Sequence, residues 1–169
     1  MNRTSLLVLL LVLCTAAAFA QTPKLDIFGG YSYLRSNPGF GLPSGNAHGW
    51  EASLTYNWNS WLGLKADFDG HYCCDQTLHN FLFGPQISLG HGKLTPYVHG
   101  LVGLSHGTST GGFSDDVLGF ALGGGVDWKV GHSWSWRVAQ VDYLGTRFAD
   151  ETQDNLRIST GLVFHWGKK

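Results

Sequence analysis

The segment WEASLTYNW, from Trp50 to Trp58, gives the clearest indication of the fold. Apolar residues occupy its even-numbered positions and polar residues its odd-numbered positions. Successive side chains of a β-strand point to opposite faces, so this alternation predicts a strand with one apolar and one polar face. An amphipathic helix would instead repeat its apolar residues every three or four positions.

The same alternation returns along the rest of the chain. It marks eight segments of about ten residues each, the length with which a tilted strand crosses a bilayer. The other seven segments cover residues 25–34, 62–71, 80–90, 95–104, 117–128, 134–145 and 155–166. We therefore predict an all-β fold for residues 21–169, an eight-stranded antiparallel up-and-down transmembrane β-barrel.

The two faces of these strands differ in size as well as in polarity. One face carries large aliphatic and aromatic residues, and the other carries ionisable residues interspersed with small ones such as Gly119, Ala121 and Gly123. The second set suits a narrow lumen, whereas a soluble barrel needs large apolar residues inside and charges outside. A soluble, lipocalin-like periplasmic carrier is the alternative. The predicted polar network of the lumen consists of Glu51, Lys65, Asp67, Asp69, Asp127, Arg137 and Arg157.

The seventh segment departs from simple alternation. If Arg137 faces the lumen, strict alternation places Gln140 and Asp142 on the lipid face. A charged side chain on that face is destabilising to a degree that depends on its depth. A β-bulge adds one residue to a strand and reverses the faces beyond it. We predict a bulge near Ala139 that returns Gln140 and Asp142 to the lumen.

The tryptophans indicate where the membrane ends. With the N-terminus of the barrel in the periplasm, Trp50 falls near the outer ends of the strands and the other tryptophans fall near the periplasmic ends. Aromatic girdles of this kind mark the interfaces of membrane barrels. The connections agree, since those at the periplasmic end are short and those at the outer end, among them residues 36–48 and 105–116, are longer. The predicted girdle consists of Trp58, Trp61, Trp128, Trp134, Trp136 and Trp166.

Residues 1–20 have the pattern of a secretory signal peptide. Arg3 precedes an apolar run, and small residues flank Phe19 at the positions that a signal peptidase reads. Cleavage after Ala20 would remove Arg3 and Cys14 and change the formal net charge from −1 to −2. A chain with this charge has no basic patch, so we expect no nucleic-acid partner.

Six segments carry a resemblance to a known family. They are FGGYSYLR (28–35), GPQISL (84–89), PYVHGLVG (96–103), ALGGGVDW (121–128), RVAQVDYL (137–144) and NLRISTGLVFHWG (155–167). These segments resemble the small outer-membrane β-barrel family, which includes the barrel domain of OmpA-like porins. The resemblance implies an outer-membrane protein of a Gram-negative bacterium, in contact with lipid and lipopolysaccharide and inserted by the barrel-assembly machinery. It says little about activity, because the family contains adhesins, structural proteins and enzymes.

No set of residues in the sequence indicates catalysis, a cofactor or a metal ion. The histidines are spread over both ends of the predicted barrel, and none forms the His-x-Ser pair on a strand that outer-membrane deacylases use. We therefore predict no catalytic residues, no cofactor and no metal. Cys73 and Cys74 are adjacent in an outer connection, where an oxidising compartment permits a vicinal or intermolecular disulfide. Two free thiols, or a weak zinc or copper site, are the alternatives to a disulfide.

The predicted function follows from the width of the barrel. An eight-stranded interior is just wide enough for side chains, and buried charges must pair. We therefore expect a closed barrel with a structural or surface-interaction role, similar to an adhesin, in which residues 36–48 and 105–116 make the contacts. A narrow gated solute channel and a lipid-modifying enzyme are the alternatives. The sequence identifies no ligand and no surface partner.

Overall fold

The computed structural model describes residues 23–37, 45–73, 76–90, 92–109, 114–148 and 151–168. No helix among them is long and apolar enough to cross a membrane. Each alternating segment coincides with one strand, which confirms the all-β prediction. The strands are β1 (Pro23–Ser36), β2 (Gly45–Asn57), β3 (Leu62–Cys73), β4 (Gln76–Ser88), β5 (Leu94–Ser109), β6 (Ser114–Lys129), β7 (Trp134–Phe148) and β8 (Glu151–Lys168).

The eight strands form a closed antiparallel barrel in sequence order. Each strand pairs with the next along the chain, and β1 pairs with β8 to close the sheet. Closure matters because an open edge would expose unpaired backbone N–H and C=O groups to hydrocarbon. The predicted eight-stranded up-and-down barrel is confirmed.

The strands extend further towards the outer end than the sequence pattern indicated. β5 continues to Ser109 and β6 begins at Ser114, so most of the predicted loop 105–116 is strand. Likewise, β1 ends at Ser36 and β2 begins at Gly45, within the predicted loop 36–48. The loop bounds were therefore wrong. The physical reason is that the ladder continues through polar residues, as in the pairing of His106 with Asp116.

The predicted bulge in β7 is confirmed. The pairing of β7 with β8 shifts between Arg137 and Gln140, and Val138 and Ala139 both face outward. Beyond this point Gln140 and Asp142 are fully buried in the lumen. One extra residue thus keeps the polar side chains of both halves of the strand inside the barrel.

The outside of the barrel is an apolar band. Its side chains are among the most exposed of the chain, as shown by Leu64 at 61%, Leu118 at 70% and Leu122 at 65% exposure. A soluble carrier would place these residues inside, so that alternative was wrong. On β7 the exposed apolar residues extend from Trp134 to Tyr143, the length with which a tilted strand crosses the apolar belt of a membrane.

The inside of the barrel is filled by side chains. An apolar cluster centred on Leu82, Leu101 and Leu144 extends to Leu34 near the outer end, and Cys73 and Leu78 pack against it. Inward-facing glycines make room for the larger polar groups. A Cβ atom on Gly125 would lie 2.7 Å from the Tyr97 hydroxyl, and one on Gly123 would overlap the Asp142 carboxylate.

Candidate functional site

Arg157 of β8 is the centre of a buried ion-pair network. Its Nη1 lies 2.9 Å from Asp67 Oδ1 and its Nη2 lies 2.6 Å from Asp142 Oδ2. It also contacts the Asp69 carboxylate. The side chains of all four residues are fully buried. Because these partners come from β3 and β7, one guanidinium joins opposite walls of the barrel.

Lys65 and Gln140 extend the network. Lys65 Nζ lies 2.7 Å from Asp67 Oδ2 and 3.6 Å from Glu51 Oε1. Gln140 Nε2 donates to Glu51 at 2.8 Å and to Asp142 at 2.7 Å. The amide oxygen of Gln140 accepts from Lys65 Nζ at 3.3 Å. An amide that both donates and accepts satisfies groups of opposite charge at the same point.

Arg137 holds the periplasmic part of the network. Its Nε and Nη2 bind the two oxygens of Asp127 at 2.8 and 3.1 Å, and its Nη1 binds Gln140 at 2.8 Å. The guanidinium carbon lies 4.1 Å from the ring centre of Phe28 and 4.7 Å from that of Tyr97. All seven residues of the predicted lumen network are buried, and their contacts form one continuous set: Glu51, Lys65, Asp67, Asp69, Asp127, Arg137 and Arg157.

Two buried histidines belong to this network and are absent from the predicted set. His71 Nδ1 lies 3.0 Å from Asp69 Oδ1, and His99 Nε2 lies 2.9 Å from Asp142 Oδ1. His71 alternates in phase with the charged residues of β3, which is the signal that could have found it, whereas β5 has no charged residue in phase with His99. The network has five carboxylates against one lysine and two arginines.

The network and the apolar cluster leave the interior chemically closed. Buried charges that bind one another directly are unavailable to a passing ion, and separating them would leave uncompensated charge. Among the described residues, no group of three or more histidine, cysteine, aspartate or glutamate side chains could hold a metal ion. The chemistry open to an external molecule therefore lies at the two rims.

The periplasmic rim carries the tryptophans of the predicted girdle. Their exposures range from 41% for Trp136 to 74% for Trp58. Neighbouring rings contact each other, with centres 6.3 Å apart for Trp128 and Trp136, and Trp134 lies 4.7 Å from Phe164. The exposed members are Trp58, Trp61, Trp128, Trp134, Trp136 and Trp166.

The outer rim carries an aromatic surface on β1, β2 and β3 that is held by its own hydrogen bonds. The Tyr31 hydroxyl bonds to His48 Nδ1, and Trp50 Nε1 donates to the Tyr72 hydroxyl at 3.3 Å. The Tyr33 ring lies 5.5 Å from that of His48. Tyr31, Trp50 and Tyr72 are 43–50% exposed. We call these five residues, Tyr31, Tyr33, His48, Trp50 and Tyr72, the outer aromatic patch.

The grouping His106-Gly107-Thr108 lies at the outer rim, facing outward. His106 Nδ1 is 2.6 Å from Asp116 Oδ1, and Thr108 Oγ1 is 3.3 Å from His106 Nε2. A threonine at that distance is a poor match for the serine of outer-membrane deacylases. The prediction of no enzyme activity there stays a prediction.

The cysteine prediction falls partly outside the described residues. Cys73, at the end of β3, is half-buried and packs against the apolar cluster. Cys74 lies outside the described residues. A disulfide between them stays a prediction. Residues 1–20, the expected signal peptide, also lie outside the described part of the chain.

A closed barrel with an apolar outside, aromatic rims and a charge-paired inside defines the class of integral membrane β-barrels. A family model described as "Outer membrane protein beta-barrel domain" matches residues 6–164. The chain belongs to this family, and it is a protein of the bacterial outer membrane. No curated protein matches the chain.

Solved structures share the fold at low sequence identity. Neisserial surface protein A aligns with a TM-score of 0.72 and 14% identity over 85% of this chain and 97% of that one. Ail, the attachment invasion locus protein of Yersinia pestis, aligns with a TM-score of 0.60 and 18% identity over 85% and 99%. The N-terminal barrel of Pseudomonas aeruginosa OprF gives 0.56 and 13% over 85% and 100%.

Proposed function

We propose that this protein is a closed outer-membrane barrel that makes surface contacts through the outer aromatic patch. The observation that carries the proposal is the patch itself, in which Tyr31, Trp50 and Tyr72 are about half exposed and are fixed by hydrogen bonds within the patch. Tyrosine and tryptophan dominate the binding energy of protein interfaces. Rings that are already ordered lose less entropy when a partner binds.

Two further features support a role at the surface. The paired charges and the apolar cluster occupy the interior, so the barrel serves as an anchor for its outer rim. In addition, Ail, whose solved structure shares this fold, has been crystallised in complex with the heparin analogue sucrose octasulfate. That complex is a property of Ail, and it motivates including a sulfated glycan among the surfaces to be tested.

The test is attachment of bacteria that display the protein. A non-adherent host strain would express the full chain, and its attachment to cell monolayers, heparin-coated plates and bare plates would be counted. We expect increased attachment to at least one surface. The triple variant Tyr31→Ala, Tyr33→Ala, Tyr72→Ala should lower it about tenfold or more, since one interface hot spot contributes about 2 kcal/mol.

Tyr143 provides the matched control. It is an exposed, outward-facing tyrosine on β7, outside the patch, and its hydroxyl bonds to Asp154. Tyr143→Ala should leave attachment unchanged while the boiling-dependent gel shift confirms a folded barrel for every variant. Equal attachment by cells with and without the protein on every surface would overturn the proposal.

A further inference from the structure

A hydrogen-bonded row of side chains crosses the inside of the periplasmic rim. Ser135 Oγ lies 2.7 Å from His165 Nε2, and His165 Nδ1 lies 2.6 Å from Asp26 Oδ1. The second oxygen of Asp26 accepts from Asn57 Nδ2 at 2.8 Å. The four residues come from β7, β8, β1 and β2, which barrel closure places side by side.

The order of these atoms is that of an activated nucleophile. A hydroxyl faces one imidazole nitrogen, and a carboxylate fixes the other nitrogen and the tautomer of the ring. We propose that Ser135, His165 and Asp26 form a nucleophilic site, open to the periplasm, that hydrolyses small acyl esters. Ser135 is the nucleophile and His165 the base, while Asp26 and Asn57 are positioning residues.

The interior histidine His71 shows why this row differs from the other polar contacts. Ser32 Oγ lies 2.9 Å from His71 Nε2, but no hydrogen bond is formed at His71 Nδ1, which is only close to Asp69. That set is sealed in the lumen. At the outer rim, Thr108 stands where a serine would be needed, at 3.3 Å from His106. The row at Ser135 combines a serine, two aligned hydrogen bonds and a rim position.

Buried residues on the same strands separate the row from the rest of the lumen. The next inward residues on the same strands are Arg137, Val163 and Phe28, and each is 2% exposed or less. The His165 and Asp26 side chains are 19% exposed, so the row is reached from the periplasmic side. Ser135 itself is 4% exposed. A hydroxyl this buried is out of reach of a folded protein, so the substrates to test are small esters.

Arg137 closes the row on the lumen side. It lies two residues from Ser135 on β7, on the same face of the strand. Its guanidinium is bonded to Asp127 and Gln140, so the nucleophile and its base must both come from the row itself.

The reaction balances with water as the only co-reactant. Ser135 Oγ bonds to the acyl carbon as its proton passes to His165 Nε2. The carbon–oxygen bond to the alcohol breaks, and the alcohol leaves with that proton. Water then gives a proton to Nε2 and attacks the acyl-serine, and the proton returns to Ser135 as the carboxylic acid departs.

The experiment uses the full chain, purified folded from outer membranes in detergent. A fluorophosphonate probe bonds to an activated serine oxygen and releases fluoride, and intact mass with peptide mapping locates the label. We expect labelling at Ser135 and slow hydrolysis of p-nitrophenyl butyrate. Ser135→Ala should abolish both, and His165→Asn should lower the labelling rate about a hundredfold, the scale of general-base catalysis.

Ser133→Ala is the matched control. Ser133 lies two residues away, and its backbone carbonyl accepts a hydrogen bond from the backbone N–H of His165. This variant should be labelled as fast as the unaltered protein. The boiling-dependent gel shift must show a folded barrel for each variant, and His165→Asn serves as the second test if Ser135→Ala fails to fold. Absence of label at Ser135, or equal labelling of His165→Asn, would overturn the proposal.

Discussion

Arg157 shows at the scale of one residue how this interior is organised. Its guanidinium binds carboxylates of β3 and β7 from its own position on β8. An arginine suits this place because its planar fork binds more than one carboxylate and stays charged at any physiological pH. A buried pair adds little net stability over apolar packing, yet removing one partner is strongly destabilising.

Replacing Arg157 with methionine should therefore destabilise the barrel severely. The variant keeps much of the side-chain volume but leaves Asp67, Asp69 and Asp142 without their shared cation. We expect a loss of about 3–5 kcal/mol in the free energy of unfolding. Urea titration of the barrel in lipid vesicles, followed by tryptophan fluorescence, measures it. Arg35→Met is the control, since Arg35 is exposed at the outer end of β1 and its loss should change stability by less than about 0.5 kcal/mol.

At the scale of the element, the bulge in β7 sets which side chains face lipid. Deleting Ala139 removes the extra residue and restores strict alternation, with Arg137, Gln140 and Asp142 still inside. Deleting Val141 shortens the same strand by one residue but leaves the bulge, so either Gln140 or Asp142 must turn outward. We expect the first deletion to refold into vesicles and the second to refold poorly, as judged by the boiling-dependent gel shift. Equal yields would mean that the bulge does not control the register.

The strands also show which features of the fold can be predicted from the sequence. Period-two alternation predicts the eight strands and the inward residues, because only one face of each strand meets lipid. The same reasoning placed the bulge, since a lone charge on the lipid face is costly. It could not fix the outer strand ends, where residues such as Ser105 and His106 are polar on both faces. Nor could it find Ser135 and His165, because their contact depends on pairing between strands.

At the scale of the whole molecule, the filled interior predicts that the barrel does not conduct. The purified protein in planar bilayers should give no stable conductance steps at neutral pH, since ions would have to separate buried, bonded charges. A sixteen-stranded porin measured in the same bilayers is the positive control, because its barrel leaves an aqueous channel. Reproducible steps from the folded protein would support the channel alternative instead.

The pairing of β1 with β8 has a consequence for where the ends of the chain can be placed. Pro23 pairs with Lys168, so the first and last described residues of the barrel lie side by side. A short peptide could join them, and new ends could be opened at an outer hairpin without changing any pairing. The order of the strands in the sequence could thus be permuted without changing their order around the barrel. New termini at an outer hairpin would allow another protein to be fused at the cell surface while every strand pairing is kept.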